Sequence, residues 1–392
     1  MPLSGIRVVD LTRIVSGPFC TMLLADMGAE VIKIEAPGKG DPLRAQGVIK
    51  DGLSWYYASF NRNKQSMTLD LRSSEGKDIL IRLISKSDVV VDNYRPGVMK
   101  KMGLDYDRLK KINPGIIHCG ISGFGVGGPS AGRPAFDFIA QAMSGLMSVN
   151  GSQESGPMRV SVPISDLIAG LYGAFGIACS LTQRLRSGRG EEVQTSLVDG
   201  LISVMSYLSA NFLASGELPL RTGNDHPIVA PYGVFQAKDG EIAIAPSNDD
   251  VYEKFLDALE LQHFKEDPRF ATNDLRMQNR QAINQIVEDK IKTMPKSHWV
   301  EHLNRAGVPT GLIQSMQEAF QDQQILHQEM VIDVDQPGYG KIQMTGFPIK
   351  MLNNPCKVHL PAPRLGEHTN QVLEELGYSD SEIQTFKDKR II

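Results

Sequence analysis

The chain has 392 residues, of which 41% are hydrophobic and 22% are charged, so it is long enough for two or three domains and too apolar to be disordered. Lys and Arg total 41 against 45 Asp and Glu, and the net charge of -4 excludes a general attraction to nucleic acid or to an anionic membrane surface. The four cysteines are far apart and form no cluster with histidine, which predicts no metal site and favours reduced thiols, as in a cytoplasmic protein. The N-terminus lacks a basic start followed by an apolar core, so no signal peptide is expected.

The first third of the chain alternates between strand and helix patterns. Strand patterns occupy residues 5–11, 30–35, 66–71, 88–94 and 115–122, and helix patterns occupy residues 18–29, 74–87 and 106–112. Strands separated by helices pair in parallel through right-handed crossovers, so this region predicts an α/β fold with a large doubly wound, Rossmann-like parallel sheet. Such sheets bind ligands beyond the carboxyl ends of their strands. The turn after the first strand, TRIVSGPF, has one glycine where a GxGxxG motif has three, which argues against a plain NAD site.

One acidic residue, Asp166, opens the longest uncharged stretch of the chain, within VPISDLIAGLYGAFGIACSL (residues 163–182). No charge follows between Leu167 and Gln183, and apolar residues recur at helical spacing, so the pattern predicts a helix that starts at Asp166. An Asp at a helix start is typical of an N-cap, where its carboxylate accepts hydrogen bonds from the first turn. The helix is too short and too rich in Gly and Ala for a convincing membrane span, so we expect it to be buried.

The sequence changes character after residue 213. We predict that residues 1–213 form the N-terminal part of a large domain and that residues 214–231, rich in Gly, Pro, Asn and Asp, form a linker. Residues 232–331 are predicted to form a smaller α/β domain that contains a β-hairpin. Residues 332–392 then return as a second linker and complete the large domain.

Seven motifs occur in a fixed order along the chain: LSGIRVVDLTRIVSGPF, NRNKQSMTLDL, DVVVDNYRPGVMKKMGLDY, ISGFGVGGP, VSVPISDLIAGLYGAFGI, SGRGEEVQTSLVD and LGEHT. Together they resemble the class III CoA-transferase family, which includes formyl-CoA transferase, carnitine CoA-transferase and succinate-hydroxymethylglutarate CoA-transferase. The resemblance covers nearly the whole chain. It implies an enzyme that moves CoA from an acyl-CoA to a carboxylic acid, with coenzyme A and acyl-CoA as substrates and no tightly bound cofactor. It also implies a homodimer of interlocked chains.

Asp166 matches the position of the nucleophile in this family. The resemblance implies that its carboxylate attacks the acyl-CoA thioester and passes through an aspartyl anhydride and an aspartyl-CoA thioester. We expect the helix N-terminus to keep Asp166 ionised at neutral pH without a separate base. The family positions that bind CoA correspond here to Ile14, Val15, Ser16, Lys64, Asn93, Tyr94 and Lys101, with Arg95 and Arg44 as further candidates. Some relatives carry Arg where this chain has Ala36, so we expect another basic group to substitute for it.

Two alternatives remain for the function. A 2-methylacyl-CoA racemase needs a His and Asp pair, and its His would fall in RPAFD, where this chain has Phe136, so the racemase is disfavoured. A non-catalytic CoA-binding protein would keep the CoA contacts without needing Asp166. The segment before the nucleophile resembles the succinate-hydroxymethylglutarate branch, which favours a small dicarboxylate and makes Arg159 a candidate for holding its distal carboxylate. Residues 221–227, RTGNDHP, are equally compatible with a mobile lid that includes His226 and with a simple linker.

Overall fold

The computed structural model describes residues 1–392 and contains thirteen strands and eighteen α-helices. The strands are β1 (Arg7–Asp10), β2 (Glu30–Glu35), β3 (Ile49–Lys50), β4 (Leu53–Ser54), β5 (Lys64–Thr68), β6 (Val89–Asp92), β7 (Ile117–Ser122), β8 (Glu192–Ser196), β9 (Gly233–Ala237), β10 (Gly240–Ile244), β11 (Thr310–Leu312), β12 (Val331–Gln336) and β13 (Gly340–Thr345). The helices are α1 (Ser16–Asp26), α2 (Trp55–Asn61), α3 (Ser74–Ser85), α4 (Val98–Lys101), α5 (Tyr106–Ile112), α6 (Asp137–Met143), α7 (Leu146–Val149), α8 (Ile164–Ser187), α9 (Leu197–Val204), α10 (Ser206–Ser215), α11 (Asp249–Ala258), α12 (Asn273–Gln278), α13 (Arg280–Ile291), α14 (Lys296–Arg305), α15 (Met316–Ala319), α16 (Gln323–His327), α17 (Thr369–Glu375) and α18 (Asp380–Asp388).

Six parallel strands form the central sheet in the order β5-β2-β1-β6-β7-β8. Val8 of β1 lies opposite both Val31 of β2 and Val89 of β6, so β1 is central to the pairing. From β1 the chain proceeds through β2 and β5 to one edge, and from β6 through β7 and β8 to the other. A ligand crevice forms at the carboxyl ends of the strands where the order reverses in this way. The predicted α/β fold with a parallel sheet is confirmed.

Helices cover both faces of this sheet. On one face, α1 and α8 pack against apolar side chains that include Val8, Val91 and Ile121. On the other face, side chains from α3, α5, α17 and α18 enclose a second core that includes Val9. Val8 and Val9 enter different cores because successive residues of a strand point to opposite faces.

Helix α8 is long and apolar enough to cross a membrane by length and composition alone. A core helix meets the same criteria, and the buried residues Ala169, Ala174 and Ile177 of α8 belong to the core shared with α1 and the sheet. The helix begins at Ile164, two residues earlier than the sequence pattern predicts.

The chain divides into two compact units. The larger unit comprises residues 1–146, 160–206 and 323–392, and the smaller comprises residues 147–159 and 207–322. The smaller unit contains the antiparallel sheet β11-β10-β9, and its predicted hairpin is formed by β9 and β10. The predicted linker belongs to this unit together with residues 147–159, and the N–H of Gly223 donates to the carbonyl of Gly151 at 2.8 Å. Because that contact joins distant segments, no local pattern marks the boundary.

Candidate active site

Asp166 is the third residue of α8 and does not cap the helix. The N-cap position is held by Pro163, which makes no side-chain capping hydrogen bond. The prediction that Asp166 is the N-cap is therefore wrong by three positions, because Ile164 and Ser165 are already helical. Asp166 still lies in the first turn, where the helix dipole favours a negative charge.

Asp137, the first residue of α6, caps α8 from outside. Its Oδ1 accepts hydrogen bonds from the backbone N–H and the hydroxyl of Ser165 at 3.0 and 2.9 Å. Its Oδ2 accepts a hydrogen bond from Nε2 of Gln141 at 2.8 Å. The side chain of Gln141 is in turn fixed, since its Oε1 accepts the N–H of Val160 at 2.8 Å. A carboxylate 28 residues upstream thus satisfies a donor in the first turn that carries Asp166.

The carboxylate of Asp166 is protonated more easily than an ordinary Asp. Burial is the main cause, the nearby charge of Asp137 adds to it, and a hydrogen bond with the side chain of Ser16 opposes both, so that the pKa of Asp166 rises to about 7. The expectation that the helix N-terminus keeps Asp166 ionised at neutral pH is not met, because burial and the charge of Asp137 bring its pKa to about 7, where the protonated and ionised forms are both populated. A carboxyl group that titrates near neutral pH in a cleft is typical of functional sites.

Asp166 lies in the wall of a cleft of about 160 Å³ at the carboxyl ends of the central strands. This Asp166 cleft is lined mainly by the segments that follow β1, β6 and β7. It brings together six of the residues predicted from the sequence, namely Ile14, Ser16, Asn93, Tyr94, Arg95 and Asp166. The position agrees with the crevice expected at the switch point of the sheet.

Asn93 joins the loop after β6 to the loop after β1. Its Oδ1 accepts the N–H of Arg13 at 3.0 Å, and its Nδ2 donates to the Arg13 carbonyl at 2.7 Å and to the Ser16 hydroxyl at 3.3 Å. In the same loop Ile14 has a φ of 70°, and its N–H donates to the carboxylate of Asp41 at 3.2 Å. A left-handed conformation is costly for a β-branched residue, so this hydrogen bond helps to hold the tight turn from β1 into α1.

Three residues predicted to bind CoA are not in the lining of the Asp166 cleft. Val15 is buried at 2% exposure, and Lys101 on α4 is exposed. Lys64 is fully buried in β5, where its Nζ donates to Oδ2 of Asp10 at 3.1 Å and to two further oxygens at 2.9 and 3.0 Å. Its three donor positions are therefore occupied, and we assign Lys64 a structural role.

Three guanidinium groups, those of Arg13, Arg95 and Arg133, line the Asp166 cleft, and none of them forms an ion pair with a carboxylate. Arg13 lies 5.9 Å from the centre of the Tyr94 ring. The guanidinium of Arg133 donates a long hydrogen bond of 3.4 Å to the hydroxyl of Ser130 and lies 5.4 Å from the centre of the Phe124 ring. Neither Arg13 nor Arg133 was predicted from the sequence as a site residue. The signal that could have found Arg133 is its place in the segment RPAFD, which was considered only for a histidine.

A second cleft, of about 700 Å³, lies beyond the ends of β2 and β5 and shares Tyr94 with the Asp166 cleft. Its wall includes Ala36 together with the basic residues Lys39, Arg72 and Arg390. Arg72 pairs with a neighbouring carboxylate at 2.9 Å, whereas Lys39 and Arg390 form no ion pair. Arg390 reaches this cleft through the C-terminal segment, so no local motif could have predicted it.

The structure also decides two remaining predictions, which concern the racemase alternative at Phe136 and CoA binding by Arg44. Phe136 is 69% exposed and lines the Asp166 cleft, in whose lining there is no histidine, so the second base of a racemase is missing there. Arg44 forms a bidentate pair with Glu35 at 2.7 and 2.8 Å and is committed to that contact.

Arg159 and residues 221–227 belong to the smaller unit. His226 there lies 5.7 Å from the ring of Tyr207 and 4.7 Å from the ring of Tyr232, measured between ring centres. Burial is the main reason that the pKa of His226 is lowered, which favours its neutral form.

The chain belongs to CoA-transferase family III, which its sequence matches over residues 3–369. It is 37% identical over 382 residues to the succinate–glutarate CoA-transferase of Agrobacterium fabrum, with 96% of each chain covered. It is 38% identical over 368 residues to the acetyl-CoA:oxalate CoA-transferase of Acetobacter aceti, with 93% of each chain covered. The crystal structure of a CAIB/BAIF family protein from Brucella suis matches with a TM-score of 0.84 and 36% identity, covering 96% of this chain and 99% of that one. The resemblance predicted from the motifs is confirmed, and the protein is a CoA-transferase.

Proposed function

We propose that this protein transfers CoA between an acyl-CoA and a small dicarboxylic acid through covalent intermediates on Asp166. The observation that carries the proposal is that Asp166 is the one carboxylate in a cleft whose other polar side chains are guanidinium, hydroxyl and amide groups. The names of the Agrobacterium and Acetobacter relatives support the substrate class, because succinate, glutarate and oxalate are all dicarboxylates.

In the proposed reaction the Asp166 carboxylate attacks the acyl carbonyl of the thioester, the carbon–sulfur bond breaks, and CoA leaves as a thiolate, so that a mixed anhydride between Asp166 and the donor acid remains. The thiolate then attacks the aspartyl carbonyl, which releases the donor acid and forms an aspartyl-CoA thioester. The carboxylate of the acceptor displaces CoA to form a second anhydride. Attack of the thiolate on the acceptor's carbonyl yields the new acyl-CoA and regenerates the Asp166 carboxylate.

The surroundings of Asp166 suit this chemistry in two ways. A partly desolvated carboxylate with a pKa of about 7 is more basic, and therefore a better nucleophile, than an ordinary Asp. Helix α1 begins at Ser16 in the cleft wall, so the partial positive charge of its N-terminus favours the oxyanion that forms during attack.

Chemical trapping tests the proposal. The protein is incubated with succinyl-CoA without an acceptor and then treated with hydroxylamine or borohydride, which react with an aspartyl thioester. Trypsin cleaves after Arg159 and Arg184, and mass spectrometry of the peptide between them should locate the modification at Asp166.

The variant D166N should lose at least about 10⁴-fold in CoA exchange. Asp199 is also the third residue of its helix, α9, but lies outside the cleft lining, so D199N should retain exchange and trapping. Full activity in D166N, or trapping at another residue, would reject the mechanism.

The unpaired guanidinium groups support recognition of a second carboxylate on the substrate. When one carboxylate of the acid attacks the aspartyl carbonyl, the other needs a cationic partner, and Arg can bind it through two parallel hydrogen bonds. Of the three arginines, we choose Arg133, because it lies on the loop that leads into α6, four residues before Asp137. Arg133, rather than the predicted Arg159, is therefore our candidate for this role.

Replacement of Arg133 by Met tests this assignment. R133M should raise KM for succinate and glutarate by about 10-fold or more, with a much smaller change for a monocarboxylate of similar length, because only the distal carboxylate loses its partner. Arg108, exposed on α5 and outside both clefts, supplies the matched control R108M. Equal effects of R133M on dicarboxylates and monocarboxylates would contradict the role.

We further propose that the nucleotide end of CoA occupies the second cleft, with Lys39 and Arg390 substituting for the basic group that Ala36 lacks. The larger volume and the shared Tyr94 would allow the pantetheine arm to reach from this cleft to Asp166. K39A should raise KM for acyl-CoA several-fold and leave KM for the acceptor acid unchanged, because phosphate contacts concern only the CoA substrate. An unchanged KM for acyl-CoA in both K39A and R390A would place the nucleotide elsewhere.

We propose, finally, that the protein acts as a homodimer. Helix α8 exposes a row of large apolar side chains that includes Leu171, Phe175 and Leu185, with exposures of 54%, 66% and 87%. A contiguous apolar surface of this kind is typical of a protein interface. The interlocking of the chains is what the family resemblance implies and remains a prediction.

A further inference from the structure

Asp137 is a buried carboxylate that the proposed reaction does not use. It is 7% exposed, and its two oxygens accept three hydrogen bonds, two from Ser165 and one from Gln141. No Lys, Arg or His forms an ion pair with it. All three partners donate to the buried carboxyl group and no cation lies beside it, which is an expensive arrangement for a merely structural cap.

The hydrogen bonds of Asp137 act on the residue next to the nucleophile. By binding both the N–H and the hydroxyl of Ser165, Asp137 fixes the first turn of α8 and thereby the start of the Asp166 side chain. A neutral Ser, Thr or Asn would satisfy the same backbone N–H at less cost in desolvation. The retained charge therefore calls for a second explanation.

We infer that Asp137 is a positioning residue for the nucleophile, which aims Asp166 by holding the neighbouring Ser165 and brings a second carboxyl group to the site where Asp166 attacks. This inference rests on the proposed covalent role of Asp166. It assigns the preparation of the nucleophile to α6, an element that comes 29 residues earlier in the chain.

The other groups around Asp166 have to be compared with Asp137 for their effect on the pKa of Asp166. Ser16 of α1 contributes a hydrogen bond that opposes the effect, and Arg13, Arg95 and Arg133 line the same cleft as cations. The pKa of Tyr56 on α2 is raised mainly by burial and further by the charges of Asp166 and Asp137. Among these groups only Asp137 has a charge that raises the pKa of Asp166.

The test compares two neutral capping variants, D137N and D137S, with S165A, using kcat, KM and the pH profile of kcat/KM. The acid limb of the wild-type profile should follow Asp166 at about pH 7. Removing the charge at residue 137 lowers the pKa of Asp166, so both D137 variants should shift the acid limb to lower pH. They should also lower kcat above pH 8 by about 10-fold, with KM for acyl-CoA within about twofold of wild type. S165A keeps the charge and should lower kcat about threefold without moving the limb.

These outcomes separate the inference from a purely structural role of Asp137. A structural defect would lower activity equally at every pH, so an unmoved acid limb in a folded D137N or D137S would overturn the inference. If neither variant folds, unchanged kcat in S165A would overturn the positioning role. Trapping at Asp166 in wild type separates the two proposals, because its failure rejects the covalent mechanism, whereas normal trapping with an unmoved limb rejects only the role of Asp137.

Discussion

Two carboxylates at the same end of the sheet show why Asp166 is suited to chemistry and Asp10 is not. Asp10 ends β1 and is fully buried. Burial alone would raise the pKa of Asp10, but the charges of Lys64 and Lys33 outweigh it, and the pKa is lowered. Asp166 forms no ion pair with the cations that line its cleft, and the charge of Asp137 acts in the same direction as burial. The fold thus fixes Asp10 as a structural anion and leaves Asp166 with a pKa near neutrality, which suits its proposed role.

We expect this reactivity to reduce stability, in a way that depends on pH. The pKa of Asp166 is about 7 in the folded protein against an ordinary value of 3.8, so ionisation is resisted in the fold but free in the unfolded chain. Below about pH 4 both states are protonated, and the penalty grows as pH rises to about 7 and is complete above it. D166N removes the penalty and should be more stable than wild type by about 2 kcal/mol at pH 8 and by little at pH 4.5, after allowance for the partial exposure of Asp166.

Chemical denaturation at a fixed protein concentration, at pH 4.5 and pH 8, measures this difference. Asp199 gives the matched control, because it occupies the same position in the first turn of α9 and accepts a hydrogen bond from Ser196 at 2.6 Å. D199N should be slightly less stable than wild type at both pH values. A stabilisation of D166N that is equal at both pH values would contradict the ionisation argument.

At the level of the elements, sequence patterns predict what depends on neighbouring residues. Helix α5 and strand β2 have the bounds that the patterns predict, residues 106–112 and 30–35, because caps and apolar periodicity are local. The N-cap assignment of Asp166 failed because the true cap, Asp137, comes from another helix. Lys64 was assigned to CoA binding because the sequence does not show its contact with Asp10, which is 54 residues away. What the sequence could not show is therefore which polar groups meet across the sheet.

Close packing of α8 on α1 positions Asp166, the proposed nucleophile, and glycine makes this packing possible. Gly170 lies one turn after Asp166, and a Cβ at this residue would come within 2.5 Å of the carbonyl oxygen of Ser16. A side chain there must push α8 away from α1, and with it Asp166 from Ser16. G170A should therefore lower kcat for CoA exchange by about 10²-fold, since small misplacements of reacting groups are costly. It should also lower the thermal midpoint.

Gly176 on the same helix provides the comparison for G170A. A Cβ at Gly176 would come within 2.6 Å of the Val193 side chain. Gly176 lies more than two helical turns after Asp166. We expect G176A to lower the thermal midpoint while keeping most of kcat. A similar loss of kcat in both variants would show that α8 responds as one rigid element, and that the local contact at Gly170 is not what positions Asp166.

At the scale of the whole molecule, α8 exposes a row of large apolar side chains, which is unusual for a chain of ordinary composition. Leu171, Phe175 and Leu185 recur at helical spacing on one side of α8, opposite the small residues that pack on α1. Charged residues are absent from α8 between Asp166 and Arg184, so no charge interrupts the stretch that carries Leu171 and Phe175. Such a surface would favour aggregation unless it is covered, and a second copy of the chain is the partner that the family resemblance implies.

We therefore predict that light scattering gives twice the chain mass of 43.1 kDa and that this value does not change on dilution. The double variant L171E/F175E places two charges in the proposed interface and should yield monomers or insoluble protein, because the charges cannot be desolvated without partners. Leu352, which is 96% exposed outside α8, serves as the control, and L352E should remain dimeric.

If the chains are interlocked, tagged and untagged dimers should not exchange subunits in native buffer and should exchange only after unfolding and refolding. Rapid exchange would reject interlocking but keep the dimer, whereas a monomeric wild type would reject both.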